Sequence, residues 1–475
     1  MGSFMREFGR ARRIASVVVV AVGLLVIAGS AGRASADNGG PGTAITYTST
    51  WSYASGEVPD GWMNPGFDAS GWASDAGPFS DQSPVGCAGS YQPAGLPITG
   101  NTDFPVWGTI FLRNTFSLPA DAWGLHLAGT IDNQASLFVN GTYYGDAFGG
   151  YCSTGGISVD VANADLHRGA STNLAAVEAS DQGGVTYFAL QATYGAIAFG
   201  NQPVETQKNT PLTDGSNPIS VTITPPAGGA AVPDGTEVDL SLQAISGSGT
   251  LSGGTAYTSG GVATFPNLSV SAPGEYRLVA TSGGATVTGN AFVIADQVTT
   301  CPSGQTCTAT GGSTSNTQVT ASSSFMSDPQ LAVSVIDGGA AIPAGVCGSF
   351  VPRGAGSFIN ILGGVTGGGN ITATWTLAKS LVLQMGNPGA AHFDICLGAE
   401  NLQGGTTPWT TKSGAPSTPV FDSNLGATLY WGLLPDCPNK GKPTGPCVLH
   451  RDKNAGNEVV SFYLPYPWDA GFHGG

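Results

Sequence analysis

Basic residues are scarce in this chain. Lys and Arg number 16 against 31 Asp and Glu, and charged residues of both signs fill only 10 % of the 475 positions. Surface helices lean on Glu, Lys, Arg and Ala, so the composition disfavours them. The acidic balance repels phosphate backbones and anionic lipid, which argues against nucleic acid and membrane surfaces as partners. Histidine is equally rare: His126, His167, His392, His450 and His473 are the whole set, and none lies in an HExxH pattern. No GxSxG elbow occurs. The Gly-rich "GSGTLSGG" (247–254) follows no strand-to-helix signal, so it is not a phosphate loop. No cysteine pair has CxxC spacing, which argues against a zinc cluster. Beyond residue 36 no stretch is apolar and long enough to span a bilayer.

What remains is rich in turn formers, with 73 Gly and 31 Pro, and yet 41 % hydrophobic. That is too apolar for a disordered chain and fits many short strands joined by tight turns. The length exceeds what one core usually organises, so several domains are expected. Residues 1–36 read as a signal peptide: Arg6, Arg10, Arg12 and Arg13, then "IASVVVVAVGLLVIAGSAG", then "ASA". The expected location is therefore secreted, with the surface of the cell as an alternative. Removing 1–36 leaves 11 basic and 30 acidic residues, a net of −19. All eight cysteines follow the signal: Cys87, Cys152, Cys301, Cys307, Cys347, Cys396, Cys437 and Cys447. An even count in an exported chain points to disulfides.

Three regions follow. In the first, 43–196, "TIFLRNTFSLP" (109–119) sets Ile110, Leu112, Phe116 and Leu118 against Arg113, Thr115 and Ser117, a period of two. "TIDNQASLFVNGTYYG" (130–145) reads as a hairpin. Leu137 and Val139 face inward, and Asn140-Gly141 supplies the positive-φ pair of a type I′ turn. Residues 197–217 are polar and aperiodic and read as a linker. The second region, 218–296, has the cleanest alternation: Val238, Leu240, Leu242 and Ala244 inward in "EVDLSLQA". The third, 299–475, opens on a loose polar stretch (296–320) and carries six cysteines. "NITATWTLA" (370–378) alternates Ile371, Ala373, Trp375 and Leu377 with threonines. Six cysteines allow fifteen pairings. The simplest joins Cys301 to Cys307, Cys347 to Cys396 and Cys437 to Cys447.

The first region resembles galactose-binding-like jelly-roll domains. "GWMNPGFDASGWASDAGPFS" (61–80) is similar to their entry motif through Trp62, Phe67, Asp68 and Trp72. "IDNQASLFVNG" (131–141) resembles their acidic-pair hairpin, with Asp132, Asn140 and Gly141 matching and Asn133 in place of the second Asp. The resemblance implies a structural role for the Trp-Phe-Asp-Trp motif and specifies no ligand. It also brings calcium into view as a structural ion. No EF-hand loop is present and the Asp residues are scattered, so no cofactor is expected. The second region is similar to bacterial immunoglobulin-like modules. The expected fold is all-β: a jelly-roll sandwich, an Ig-like sandwich and a disulfide-stapled β-sandwich in tandem.

No catalytic residue stands out. Asp132, Asp160, Asp165, Glu178 and Asp181 are available carboxylates, but region one alone is small for a glycosidase. His126 in "GLHLAG" reads as a satisfied structural histidine, and His473 as part of a frayed tail. Aromatics are more informative. Tyr143, Tyr144, Phe148 and Tyr151 follow the Asn-Gly turn, while Tyr91 and Trp107 lie in an earlier loop. If Cys87 bonds Cys152, the two loops meet at one end of the jelly roll. Sugar rings stack on aromatic faces while Asp, Asn and Gln bind hydroxyls. Tyr91, Trp107, Tyr143, Tyr144 and Tyr151 are thus the candidate ligand-binding residues. The expected function is non-catalytic extracellular attachment or recognition, with an extracellular or cell-wall glycan as partner. A structural or protein-binding envelope component is the alternative, and a polysaccharide hydrolase the third reading.

Overall fold

The computed structural model describes residues 40–81, 100–150 and 155–312, then the segments 317–324, 330–336, 346–347, 356–362, 371–377, 395–401, 408–422, 427–439, 445–454, 457–464 and 468–474, with the single residue 443. The expected signal peptide, Tyr91, Tyr151, Cys87 and Cys152 lie outside the described residues. Among these residues the chain is all β: one short 3₁₀ turn, Asn163–Asp165, is the only helical element.

The first region contributes β1 (Gly42–Ile45), β2 (Thr50–Ser55), β3 (Ala73–Ala76), β4 (Phe79–Ser80), β5 (Thr102–Asp103), β6 (Thr109–Ser117), β7 (Ala122–Val139), β8 (Thr142–Gly149), β9 (Gly156–Val161), β10 (Thr172–Ser180) and β11 (Tyr187–Asn201). One antiparallel sheet runs β3-β2-β6-β10-β7-β8. The facing sheet centres on β11, with β7 and β9 on one side and β1 and β4 on the other. β7 belongs to both sheets. Ala122–Asp132 pairs with β11, and Asn133–Val139 pairs with β8. The strand therefore turns its corner at Asp132-Asn133, where the peptide bond is cis. The alternation read from sequence closes the sandwich: Ile110, Leu112, Leu137, Val139, Val177 and Phe188 are all at most 1 % exposed. Arg113 departs from its expected outward exposure. It is 8 % exposed, because the 56–72 segment folds over the outer face of the first sheet and takes its guanidinium.

The stretch 197–217, read as a linker, is built into the second core. β11 runs on past the jelly roll to pair with β14 (Asn217–Thr224), after the two-residue strands β12 (Thr206–Gln207) and β13 (Thr213–Asp214). Ile197, Phe199 and Leu212 join Val238, Tyr276 and Phe292 in one cluster. The second region adds β15 (Glu237–Gly247), β16 (Leu251–Ser252), β17 (Thr255–Tyr257), β18 (Val262–Phe265), β19 (Ser269–Val270), β20 (Gly274–Ser282) and β21 (Ala285–Ala295). Here the expected alternation holds at Val238 and Leu240 and fails at Ala244, which is exposed. A register shift between Ala244 and Ser246 breaks the period there. The first two regions touch closely: His126 Nδ1 lies 2.7 Å from Asp160 Oδ1, and Asp160 Oδ2 accepts from Ala230 N at 3.1 Å.

The third region is a second sandwich. Its strands are β22 (Gln297–Thr300), β23 (Thr306–Gly312), β24 (Thr317–Ser324), β25 (Gln330–Ile336), β26 (Gly356–Leu362), β27 (Ile371–Leu377), β28 (Ile395–Asn401), β29 (Thr418–Asp422), β30 (Ala427–Leu433), β31 (Cys447–Asn454), β32 (Asn457–Leu464) and β33 (Trp468–Gly474). They form sheets of order β22-β25-β26-β33-β28-β30-β29 and β23-β24-β27-β32-β31. The supposedly loose 296–320 stretch thus holds β22, β23 and the start of β24. His473 lies in β33 opposite Cys396, so its strand is paired. Three disulfides bind this region: Cys301–Cys307, Cys347–Cys396 and Cys437–Cys447.

Candidate functional site

The outer face of the first jelly-roll sheet divides into a covered and an open half. The covered half lies under the 56–72 segment. Trp62 meets Phe111 and Phe138 edge-on, with ring centroids 5.0 and 5.7 Å away. Phe67 packs on Trp72 at 5.7 Å, and the Arg113 guanidinium lies 5.4 Å from the Phe67 ring centre. Arg113 Nη1 donates to the carbonyls of Trp62 and Asn64. Asp68 Oδ1 accepts from Ser70 N at 2.9 Å, a local turn bond that holds its carboxyl below the usual range. Trp62, Phe67, Asp68 and Trp72 are therefore a clasp on the sheet.

The open half follows from strand register, because directly paired residues share a face. One row reads Thr109, Ser180, Gln134, Phe148. The next reads Phe111, Glu178, Ser136, Asp146, and Phe138 stands beside Tyr143 in the row after. Phe148 is 65 % exposed and Tyr143 53 %. Ser136 Oγ donates to Asp146 Oδ1 at 2.7 Å, and the Tyr143 hydroxyl donates to the same carboxylate. Those two bonds hold the Asp146 carboxyl below its ordinary range. The Tyr143 phenol, bonded to this carboxylate, is pushed up. Its ring is fixed by that bond and by Phe138, 5.4 Å away.

A β-bulge decides which tyrosine reaches this face. Leu137 pairs with Gly145, but Phe138 pairs with Tyr143, so Tyr144 is the extra residue. Strict alternation would have set Tyr144 beside Asp146 and turned Tyr143 away. Instead Tyr144 is half-buried. Its hydroxyl donates to Asp165 Oδ2 at 2.5 Å and accepts from Ala162 N at 3.1 Å, and burial first, then Asp165, pushes the phenol up to about 12. Tyr144 is a strut rather than a sugar platform. The Asn140-Gly141 turn has the expected geometry, with φ of +52° and +88°. Asn140 also anchors it: Oδ1 accepts from Leu174 N at 2.8 Å, and Nδ2 donates to the Asp165 carbonyl at 2.7 Å.

At the far end of the open rows stands Trp107, 77 % exposed with φ +58°. Asp181 holds it there. Its Oδ2 accepts from Trp107 N at 2.6 Å and from Gly183 N at 2.8 Å. Gly183 has to be glycine, since its φ is +108° and a Cβ would come within 2.3 Å of the Trp107 ring. Asn133 Oδ1 accepts from Gln182 N at 2.7 Å, and its Nδ2 donates to Asp132 Oδ1 at 2.7 Å. The turn amides are thus taken by Asp181, while Asp132 accepts from the Asn133 side chain. Asp132 and Asp181 are 1 % and 6 % exposed, and among the described residues Asp132 Oδ2 and Asp181 Oδ1 have no hydrogen-bond partner. Burial first, then Asp181 and Asp81, pushes the Asp132 carboxyl up to about 6.

Of the sequence candidates, Trp107 and Tyr143 stand open, Tyr144 does not, and Tyr91 and Tyr151 lie outside the described residues. Gln134, Ser136, Asp146 and Phe148 were available to sequence reasoning only through exact register. Asp181 had a signal in "SDQGG", an acidic residue before two glycines. Among the described residues no group of three His, Cys, Asp or Glu side chains is placed to hold a metal ion.

No family model matches the chain, and no curated protein matches it. Solved structures with partial likeness include a Bacteroides uniformis β-glucuronidase, with 14 % identity, TM-score 0.26, and 55 % of this chain against 33 % of that one. A Faecalibacterium prausnitzii β-glucuronidase has 16 % identity and TM-score 0.23, covering 55 % of this chain and 47 % of that one. The Bifidobacterium dentium enzyme complexed with coumarin-3-O-glucuronide has 16 % identity and TM-score 0.22, over 55 % of this chain and 49 % of that one. The chain thus spans between a third and a half of these enzymes. Likeness at these scores carries no argument about activity.

Proposed function

We propose that this chain is a secreted, non-catalytic recognition protein that holds carbohydrate on the open outer face of its jelly roll. The observation that carries the reading is the pairing of two exposed rings, Tyr143 and Phe148, with a floor of Gln134, Ser136, Asp146 and Glu178. Rings supply stacking area for apolar sugar C–H faces, and the polar row supplies donors and acceptors for hydroxyls. The face is a shelf across several strands, which suits a length of polysaccharide. Three disulfides fit an oxidising location. The carboxyl raised to about 6 belongs to Asp132, whose unpartnered oxygen is closed over, and a closed carboxyl does not reach a glycosidic bond.

Affinity electrophoresis and calorimetry with a panel of soluble and insoluble polysaccharides test the proposal. Binding that drops at least about tenfold in Tyr143→Ala/Phe148→Ala, with an unchanged melting temperature, supports it. Unaltered binding in that double variant removes the site. Release of reducing sugar by the wild-type chain replaces recognition with hydrolysis.

A further inference from the structure

Among the described residues the open face has no matching positive charge. Arg113 is turned under the 56–72 clasp and donates to backbone carbonyls there. Asp146 is exposed and fixed by two hydroxyls, and Glu178 stands half-buried next to Ser136. Behind the Trp107 end lie two more carboxylates, Asp132 and Asp181, nearly fully enclosed and each with one oxygen lacking a partner among the described residues. The influences on Asp132 are burial and two other carboxylates, with no neighbouring cation among them. Charge enclosed by protein is screened far less than charge in water. The exposed Trp107 ring, whose backbone N–H donates to Asp181, stands next to this charge, and aromatic faces themselves attract cations.

Resting on the carbohydrate reading above, we infer that the glycan taken by this face carries protonated amines, as a partly deacetylated amino-sugar polymer does, with an ammonium seated over Trp107 beside Asp181. A protonated amine gains from the ring and from the carboxylates together, whereas an acetylated amine has no charge and keeps only stacking. A uronate polymer meets Asp146 and Glu178 as like charges and is repelled.

The test titrates the full chain with chitosan oligomers, their fully N-acetylated counterparts and polygalacturonate, at low and high salt, with and without EDTA. The expected result is binding of chitosan oligomers about tenfold tighter than of the acetylated ones, weakening with salt, insensitive to EDTA, and reduced in Trp107→Ala. Glu178→Gln and Asp146→Asn, which leave the enclosed pair untouched, narrow the preference even where Asp181→Asn does not fold. Equal affinity for both oligomers overturns the amine assignment and leaves carbohydrate recognition standing. Polygalacturonate binding abolished by EDTA also overturns it, since a metal cation then fills the acidic end. Binding of none of the probes or of the wider panel removes both readings.

Discussion

Two sheet faces in this molecule share an architecture and differ in chemistry. The jelly-roll face is half clasped by the 56–72 segment and elsewhere carries rings and carboxylates. The outer face of the β23-β24-β27-β32-β31 sheet is a lattice of small hydroxyls. Thr308 pairs with Ser322 at 2.9 Å, Thr310 with Thr320 at 3.1 Å, and Thr374 with Ser461 at 3.2 Å. Behind it, Ala309, Val319, Ala321, Ala373 and Phe462 close the core at 0 % exposure. Hydroxyls that bond one another across strands stabilise the sheet and offer little stacking area. Rings held apart from such partners remain free for a ligand. Function is thus expected where the local bonds leave large groups exposed, not where strand pairing is most regular.

The comparison is broken most severely by removing the clasp. Trp62→Ala deletes the ring on Phe111 and Phe138 and is expected to cost about 3–5 kcal/mol, read as a lower denaturation midpoint. No single substitution among the lattice hydroxyls should approach it. Next, Tyr143→Ala/Phe148→Ala should remove most glycan affinity, while Thr320→Ala/Thr374→Ala leaves it unchanged in the same titration; equal losses from the two pairs would erase the distinction.

A third expectation concerns pH. The folded Asp132 carboxyl sits near 6, above its ordinary value of 3.8, so the folded state prefers it protonated. Its stabilising contribution is complete below about pH 4 and is lost as the pH rises through about 6. Asp68 and Asp146 are shifted down, so theirs acts the other way, present above about pH 4 and lost on further acidification. Between pH 5 and 8 the Asp132 effect governs this pair of trends. Melting curves of wild type should fall over that range, and Asp132→Asn should flatten the slope; a wild-type midpoint that climbs instead contradicts the assignment. The smallest effect is expected at the lattice: Thr374→Ala should cost no more than about 1 kcal/mol, in line with a cross-strand hydroxyl pair.

Much of this was legible in the residues. The two-residue period of 109–119 placed Ile110, Leu112, Phe116 and Leu118 in the core, and Asn140-Gly141 marked its own turn, because both depend on local geometry alone. The stretch 197–217 misled because its side chains are polar and aperiodic, while its backbone continues β11 into the next sheet and buries Ile197, Phe199 and Leu212 there.

By itself the sequence determined an all-β chain of short strands, an acidic surface, an inward set of alternating apolar residues and a hairpin ending at Asn140-Gly141. Alternation and turn chemistry act over a few residues, so they survive without a fold. Only the tertiary structure decided that Tyr143 faces out and Tyr144 in, that Arg113 is enclosed, and that Asp132 comes under the influence of Asp181. Each of these turns on a register shift or a clasp between segments distant in sequence, and a single bulge exchanges the two faces of a strand.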